Sequence, residues 1–400
     1  MSGAVATGSA VGAPAWLTAR RVGWVGVALG VLAFFVAVPP LTVRSPVPVA
    51  VLAALSVTCG ALAVRGGDKR VGWGAVAAGL GGLAGGIAAT ESGKANLEAV
   101  VVWSALLAAT LRYATPLLFG ALGGLFSERS GVINIALEGM MLMGAYFGAW
   151  GADITGSWIG GIVIGVASGV VLALIHALFA VSFRADQIVS GTALNFLAIG
   201  ITGYAYVDTY GNQGTPDNLA AIPDVHLGGI PLVGGVFGQL NLMVWIALLL
   251  VPAVWAIVFR TSWGLRLRSV GENPRAAETA GLSPVKIRYR AVMVSGGLAA
   301  AGGVYLSIGF VHSFTQNMTA GRGFIALAAL IFGRWRPVGA FAATLLFGFG
   351  SALAQRLPTF SASGAVLFQA LPYVLTLIAV AGLIGRSIPP AAIGRPLERS

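Results

Sequence analysis

The chain has 400 residues, 57% of them hydrophobic and 9% charged, which excludes both a soluble globular protein and a disordered one. One cysteine, Cys59, excludes an intrachain disulfide framework and a thiolate metal cluster, and three scattered histidines argue against a His-rich metal centre. The net charge of +11 lies between apolar runs, so a positive-inside membrane topology accounts for it better than nucleic-acid binding does.

The apolar runs are continuous rather than alternating, which points to helices and away from a β-barrel. Residues 1–21 read as a flexible cytoplasmic tail ending in Arg20 and Arg21. The run 22–38, before Pro39 and Pro40, reads as a retained span: no small-residue cleavage site precedes the prolines, and more spans follow. Further runs cover approximately 47–64, 71–89, 99–126, 131–151, 158–180, 187–206, 241–259, 290–310, 318–333, 338–354 and 366–385. The expected fold is an all-α polytopic membrane protein with about twelve transmembrane helices (ten to twelve). Three runs are irregular. Run 99–126 contains Arg112 and Pro116 and is a candidate for tilting or breaking; 131–151 carries Asn134 and Glu138; 318–333 is short and contains Arg322.

Basic residues mark alternate loops: Arg65, Lys69 and Arg70, then Arg129, Arg184, the stretch from Arg260 to Arg290, Arg334 and Arg336, and finally Arg386, Arg395 and Arg399. Residues 207–240, on the opposite side, hold Asp208, Asp217 and Asp224 and no Lys or Arg. This alternation puts both termini in the cytoplasm and makes the span count even.

No catalytic constellation stands out. His176, His226 and His312 lack Cys or carboxylate at ligand spacing, and His176, inside a span, reads as one half of an interhelical hydrogen bond. Ser92-Gly93-Lys94-Ala95 fails as a phosphate loop, because position 88 is Ala and position 95 has no hydroxyl. The chain is therefore not expected to bind ATP by itself. In run 131–151, Asn134 and Glu138 are expected to share a helical face. A carboxylate inside a span is costly, so Glu138 has a functional or pairing role, or else sits near the cytoplasmic interface beside Arg129. Gln187, Ser190, Thr192 and Asn195 are uncharged hydrogen-bonding groups that either line a polar path or tie helices together. In the hydrophilic loop 260–290, Asn273 is an N-cap, Pro274 fits the first helical position, and Gly281 fits the left-handed position that closes a helix. Residues 274–280 should form about two turns, and Ser283-Pro284 should launch the next span. Such a segment is either a contact surface or a solvated basic loop.

At these residues the sequence resembles a known family. The stretch Tyr113–Met141, containing Glu128, Asn134 and Glu138, together with Gln187–Asn195, Gly271–Gly281 and Thr319–Ala329, is similar to permease subunits of bacterial ABC importers. The similarity is to the branched-chain amino acid and simple-sugar permease family, in its nucleoside-importer branch, and covers roughly 97–385. It implies a permease core at 97–385 with its coupling loop at 260–290, extra transmembrane helices at 22–96, and a cytoplasmic tail at 386–400. It also implies a non-catalytic multi-pass subunit of the bacterial cell membrane, without cofactor, forming the path of a small polar solute, a nucleoside first and a simple sugar second. The implied partners are a cytoplasmic ABC ATPase, a second related permease and an extracytoplasmic substrate-binding lipoprotein, with no nucleic acid. The ATPase-coupling element would be Glu272, Asn273, Pro274, Arg275, Ala276, Ala277, Glu278, Ala280 and Gly281. There the small Ala276, Ala277 and Ala280 let a partner approach, and Arg275 and Glu278 fix its orientation. The translocation path would involve Asn134, Glu138, Gln187, Ser190, Thr192 and Asn195. The competing reading, an ATPase-independent secondary transporter or channel, needs intramembrane acid–base pairs, for which Glu138 and Arg112 are the candidates.

Overall fold

The computed structural model describes residues 18–37, 45–91, 102–211, 214–216, 219–226, 234–356 and 388–397, which divide into two compact units with the boundary between Val102 and Trp103. Among these residues, eight helical stretches are long and apolar enough to cross a membrane: Ala19–Ala37, Pro46–Arg65, Trp103–Arg129, Trp158–Ser182, Gln187–Tyr210, Leu242–Arg260, Pro284–Val311 and Pro337–Arg356. The expected span at 366–385 lies outside the described residues.

The first unit is a bundle of α1 (Ala19–Ala37), α2 (Pro46–Arg65) and α3 (Lys69–Glu91), each packed on the other two. Lipid tails give apolar helices no hydrophobic reason to associate, so close packing and polar ties do the work. Both are present. A Cβ on Gly26 would come within 2.8 Å of Ala75 and 2.9 Å of Cys59. The buried Ser56 hydroxyl lies 2.6 Å from the Gly26 carbonyl and 2.9 Å from the Ala75 carbonyl, so one side chain touches all three helices.

The second unit holds α4 (Trp103–Arg129), α5 (Leu137–Thr155), α6 (Trp158–Ala177, continued by a π turn Leu178–Ser182) and α7 (Gln187–Tyr210). After these come a small antiparallel hairpin, β1 (Asp224–His226) paired with β2 (Gln239–Asn241), and between its strands the one-turn α8 (Gly234–Phe237). The chain continues through α9 (Leu242–Arg260), α10 (Ser262–Glu272), α11 (Pro274–Thr279), α12 (Pro284–Val304, continued by a π segment Tyr305–Val311), α13 (Arg322–Phe332) and α14 (Pro337–Arg356). The centre of the unit is α12, packed on α4, α5 and α6. Its glycines and alanines make this possible: an added Cβ on Gly303 would collide with the Met141 carbonyl, and one on Gly144 with the Ala300 backbone.

Three irregular runs resolve differently from one another. Helix α4 is continuous through Pro116, so this run is not broken. A proline removes the N–H that would bond the carbonyl four residues earlier, here Arg112. That carbonyl accepts a hydrogen bond from the Tyr305 hydroxyl of α12 at 3.2 Å, so the gap in the ladder is filled from a neighbouring helix. The run 131–151 is helical only from Leu137. The run 318–333 contains an 11-residue helix, about 16 Å long, roughly half the hydrocarbon thickness of a bilayer.

The Tyr305 bond gives a quantitative expectation. Tyr305→Phe should destabilise the detergent-solubilised chain by about 1 kcal/mol, read as a lowered thermal midpoint. In a Pro116→Ala background, where the helix satisfies Arg112 itself, the same substitution should cost close to nothing. An equal cost in both backgrounds would show that the hydroxyl acts elsewhere.

Candidate functional site

The main chain at 130–136, between α4 and α5, is not helical, although helices enclose it. Buried backbone outside a helix has no internal ladder and must find partners one group at a time. Side chains of α4, α6 and α7 supply them. Ser127 Oγ donates to the Val132 carbonyl at 2.8 Å. Gln187 Oε1 accepts from the Ile133 N–H at 2.8 Å. His176 Nε2 is 3.0 Å from the Ile133 carbonyl, which can only accept, so this nitrogen carries the proton; Nδ1 then accepts from Ser190 Oγ at 3.3 Å. Asn195 grips the chain twice, donating to the Ile135 carbonyl at 3.0 Å and accepting from the Gly139 N–H at 2.8 Å. Asn134, inside the segment, donates to Ser295 Oγ of α12 at 2.9 Å, and its Oδ1 is buried with no hydrogen bond.

Of the polar residues singled out in the sequence, Asn134, Gln187, Ser190 and Asn195 thus meet around one stretch of backbone, with His176 bonded between helices as expected. Thr192 does not join them; its hydroxyl returns to the Ile188 carbonyl of its own helix. Ser127 and Ser295 were not legible as members, because an isolated serine in an apolar run carries no signal of its partner.

Glu138 is buried, and its partners are not those of a surface ion pair. Oε1 accepts from Thr319 Oγ1 at 2.6 Å and from the Gly321 N–H at 2.8 Å, and Oε2 accepts from the Gly323 N–H at 2.6 Å. Gly321 is the N-cap of α13, at φ 83°, and has no side chain with which to cap. A carboxylate from α5 therefore caps α13, where free N–H groups and the helix dipole favour a negative charge. This replaces the alternative of a pair with Arg129. The Arg129 guanidinium instead donates from Nε and Nη2 to the Trp335 carbonyl, at 3.1 and 2.7 Å, while the Trp335 indole N–H donates to Glu128. These bonds hold the turn after α13, in which Arg334 and Trp335 are both left-handed, at φ 57° and 50°. Residues flanking the 130–136 break thus grip α13 at both ends.

The loop 260–290 forms as its capping signals dictate. Asn273 Oδ1 accepts from the Ala276 N–H at 3.0 Å, Pro274 opens α11, Gly281 is left-handed at φ 82°, and Ser283 caps α12, which starts at Pro284. Glu272, Asn273, Arg275, Ala276, Glu278, Ala280 and Gly281 are exposed, and Pro274 is half-buried. Ala277 differs from the expectation: it is 4% exposed and packs into the core, so it offers nothing to a partner. A six-residue helix leaves room for one inward position, and Ala277 occupies it. In the last turn of α10, just before α11, a Cβ on Gly271 would collide with the Arg129 carbonyl, so the two backbones touch directly. Among the described residues, no group of three or more His, Cys, Asp or Glu is placed to hold a metal ion.

Comparison with known proteins gives a consistent result. The family model for permease components of branched-chain amino acid transport systems matches residues 106–380. The guanosine ABC transporter permease protein NupQ of Bacillus subtilis is 41% identical over 314 residues, 75% of this chain and 98% of that protein. The nucleoside ABC transporter permease protein NupC of Lactococcus lactis is 38% identical over 303 residues, 72% of this chain and 95% of that protein. A putative glucose ABC transporter permease protein of Haloferax volcanii is 38% identical over 258 residues, 63% of this chain and 77% of that protein. No solved structure matches.

The Glu138 cap generates a graded expectation. Glu138→Ala strands a buried hydroxyl and two N–H groups and should cost about 3 kcal/mol of stability. Glu138→Gln should fall between, because its amide oxygen still accepts from Thr319 and Gly321 while its NH2 opposes the Gly323 N–H. Thermal unfolding of the purified variants checks the order, and a Glu138→Ala protein as stable as the parent would remove the cap from the account.

Proposed function

We propose that this chain, which belongs to the permease component family of branched-chain amino acid transport systems, works as the membrane subunit of a nucleoside importer. It is a non-catalytic, multi-pass membrane component. ATP hydrolysis belongs to a separate cytoplasmic ATPase; a second related permease completes the pore, and an extracytoplasmic lipoprotein delivers the solute. The nucleoside relatives support this substrate class, and the glucose relative leaves a simple sugar second. The setting is a bacterial plasma membrane crossed an even number of times, between ten and twelve, with both termini in the cytoplasm. The core is 97–385, and the helices of 22–96 are additional to it.

The observation that carries the coupling is the backbone contact between Gly271 and Arg129. A subunit without a nucleotide site receives work as displacement. Helix α11 is short, capped, and joined to α12 through Ser283 and Pro284, so a push on its exposed face has little slack to absorb it. Through Gly271 the displacement reaches Arg129 and the irregular segment at 130–136. Through Arg129 and Glu138 it reaches both ends of α13. Asn134, Gln187, Ser190 and Asn195 then offer neutral hydrogen-bonding groups to a polar solute in exchange for their present partners, while Thr192 stays bonded to its own helix; the solute binds firmly enough to enter and weakly enough to leave. Asn134 Oδ1, buried without a partner, is the acceptor already available.

This reading is directly testable. Cells with the gene should take up labelled guanosine, and the reconstituted complex should hydrolyse ATP faster when it is supplied. Exchanging the exposed charges of α11, Arg275→Glu with Glu278→Arg, should lower the stimulated rate roughly ten-fold in a complex that still inserts. Uptake that persists without the ATPase would favour the secondary-transporter alternative. For topology, reporter fusions at residues 215 and 275 should report opposite sides, with 275 cytoplasmic; one side for both would sink the orientation and the α11 contact together.

A further inference from the structure

The family match ends at residue 380, yet residues 388–397 are built into the second unit rather than trailing from it. This segment has no helix or strand, so its backbone needs outside partners. The partners lie on the elements that the coupling reading connects. The Ala391 N–H donates to Glu272 Oε2 at 3.2 Å, and the Ala392 N–H to the Gly271 carbonyl at 2.9 Å. The Gly394 N–H donates to the Gly131 carbonyl at 3.1 Å. The Arg395 carbonyl accepts from Arg288 Nη1 at 3.1 Å, and Arg288 Nε donates to the Ser130 carbonyl at the same distance.

Arg288 is fully buried on α12. A guanidinium in that position is costly; main-chain carbonyls of the irregular segment and of residue 395 receive its Nε and Nη1, while Nη2 is buried with no hydrogen bond. Ala392 and Leu397 are also buried, Ile393 packs against the core, and a Cβ on Gly131 would fall 2.8 Å from Arg288 Nη2 and 3.1 Å from the Ala392 carbonyl. The seat is therefore closely packed: a side chain at Gly131 would press on Arg288 and on the Ala392 carbonyl, and Ala392 is 4% exposed.

We propose that residues 388–397 are a positioning strap that binds the last turn of α10, from which α11 springs, to the irregular segment and to α12, so that displacement of the coupling helix reaches the interior. This rests on α11 being the ATPase contact. The Gly271–Arg129 contact resists a push, because two backbones already touch. It offers little resistance to separation, and the strap supplies it: Ala391 and Ala392 hold Glu272 and Gly271 while Gly394 and Arg395 hold Gly131 and Arg288. Without the strap, α11 still meets the ATPase, but its return stroke is not transmitted.

The test uses the full reconstituted complex and two variants: a chain ended after Arg386, and Ala392→Trp, whose indole does not fit the seat. ATP hydrolysis should stay near the parental rate while guanosine transported per ATP falls roughly ten-fold. A purely structural role would lower both together. Parental transport per ATP in both variants overturns the proposal, and so does failure of both to accumulate in the membrane, which would make the strap a folding element. A parental complex without ATP-driven uptake would remove the importer reading and the strap's role with it, an outcome distinct from a working parent with unaffected variants.

Discussion

A short length of non-helical backbone, largely buried among helices, sets the requirements that the second unit meets. Each N–H and C=O of residues 130–136 needs a partner from elsewhere, and each unmet group costs as much as a lost core contact. Gln187, Asn195, His176 and Ser127 answer that demand with bonds of 2.8 to 3.0 Å. Polar residues that in isolation look like the lining of a channel are thus engaged in holding the chain. The two roles are compatible if the groups exchange one acceptor or donor for another as the segment moves.

The same economy governs α13. This helix is too short to cross a bilayer, and both its ends lie against groups flanking the break: Glu138 at the first turn, Glu128 and Arg129 at the last. The carboxylate serves as the cap that Gly321 lacks, and the helix terminus supplies a partial charge of opposite sign. The left-handed Arg334 and Trp335 mark where the chain is bent back under that constraint, and strain of this kind persists only where neighbours fix it.

What the sequence discloses follows the range of each interaction. The caps at Asn273, Pro274, Gly281 and Ser283 are local and were readable, since each signal and its partner lie within a few residues. The hydrogen-bonding character of His176 was readable too, because a histidine inside an apolar run has few other states. The break at 130–136 was hidden: Val132, Ile133, Ile135 and Ala136 continue an apolar pattern, and only Gly131 hints at the turn it makes at φ 92°. The partners of Glu138 lie more than 180 positions further on, so no spacing rule connects them. The inward turn of Ala277 was hidden for the opposite reason, a helix too short to display a period.

That remoteness has a consequence for how the protein is made. The chain leaves the ribosome from its first residue, so α4 enters the membrane before any of its partners exist. Ile133 waits 54 positions for Gln187, Ser130 waits 158 for Arg288, and Arg129 waits 206 for Trp335. During that interval the open backbone has to be tolerated by the insertion machinery, or sheltered in water near the membrane surface, until later helices arrive. Assembly of the second unit is therefore a late event in synthesis, and its quality is decided by segments translated near the end.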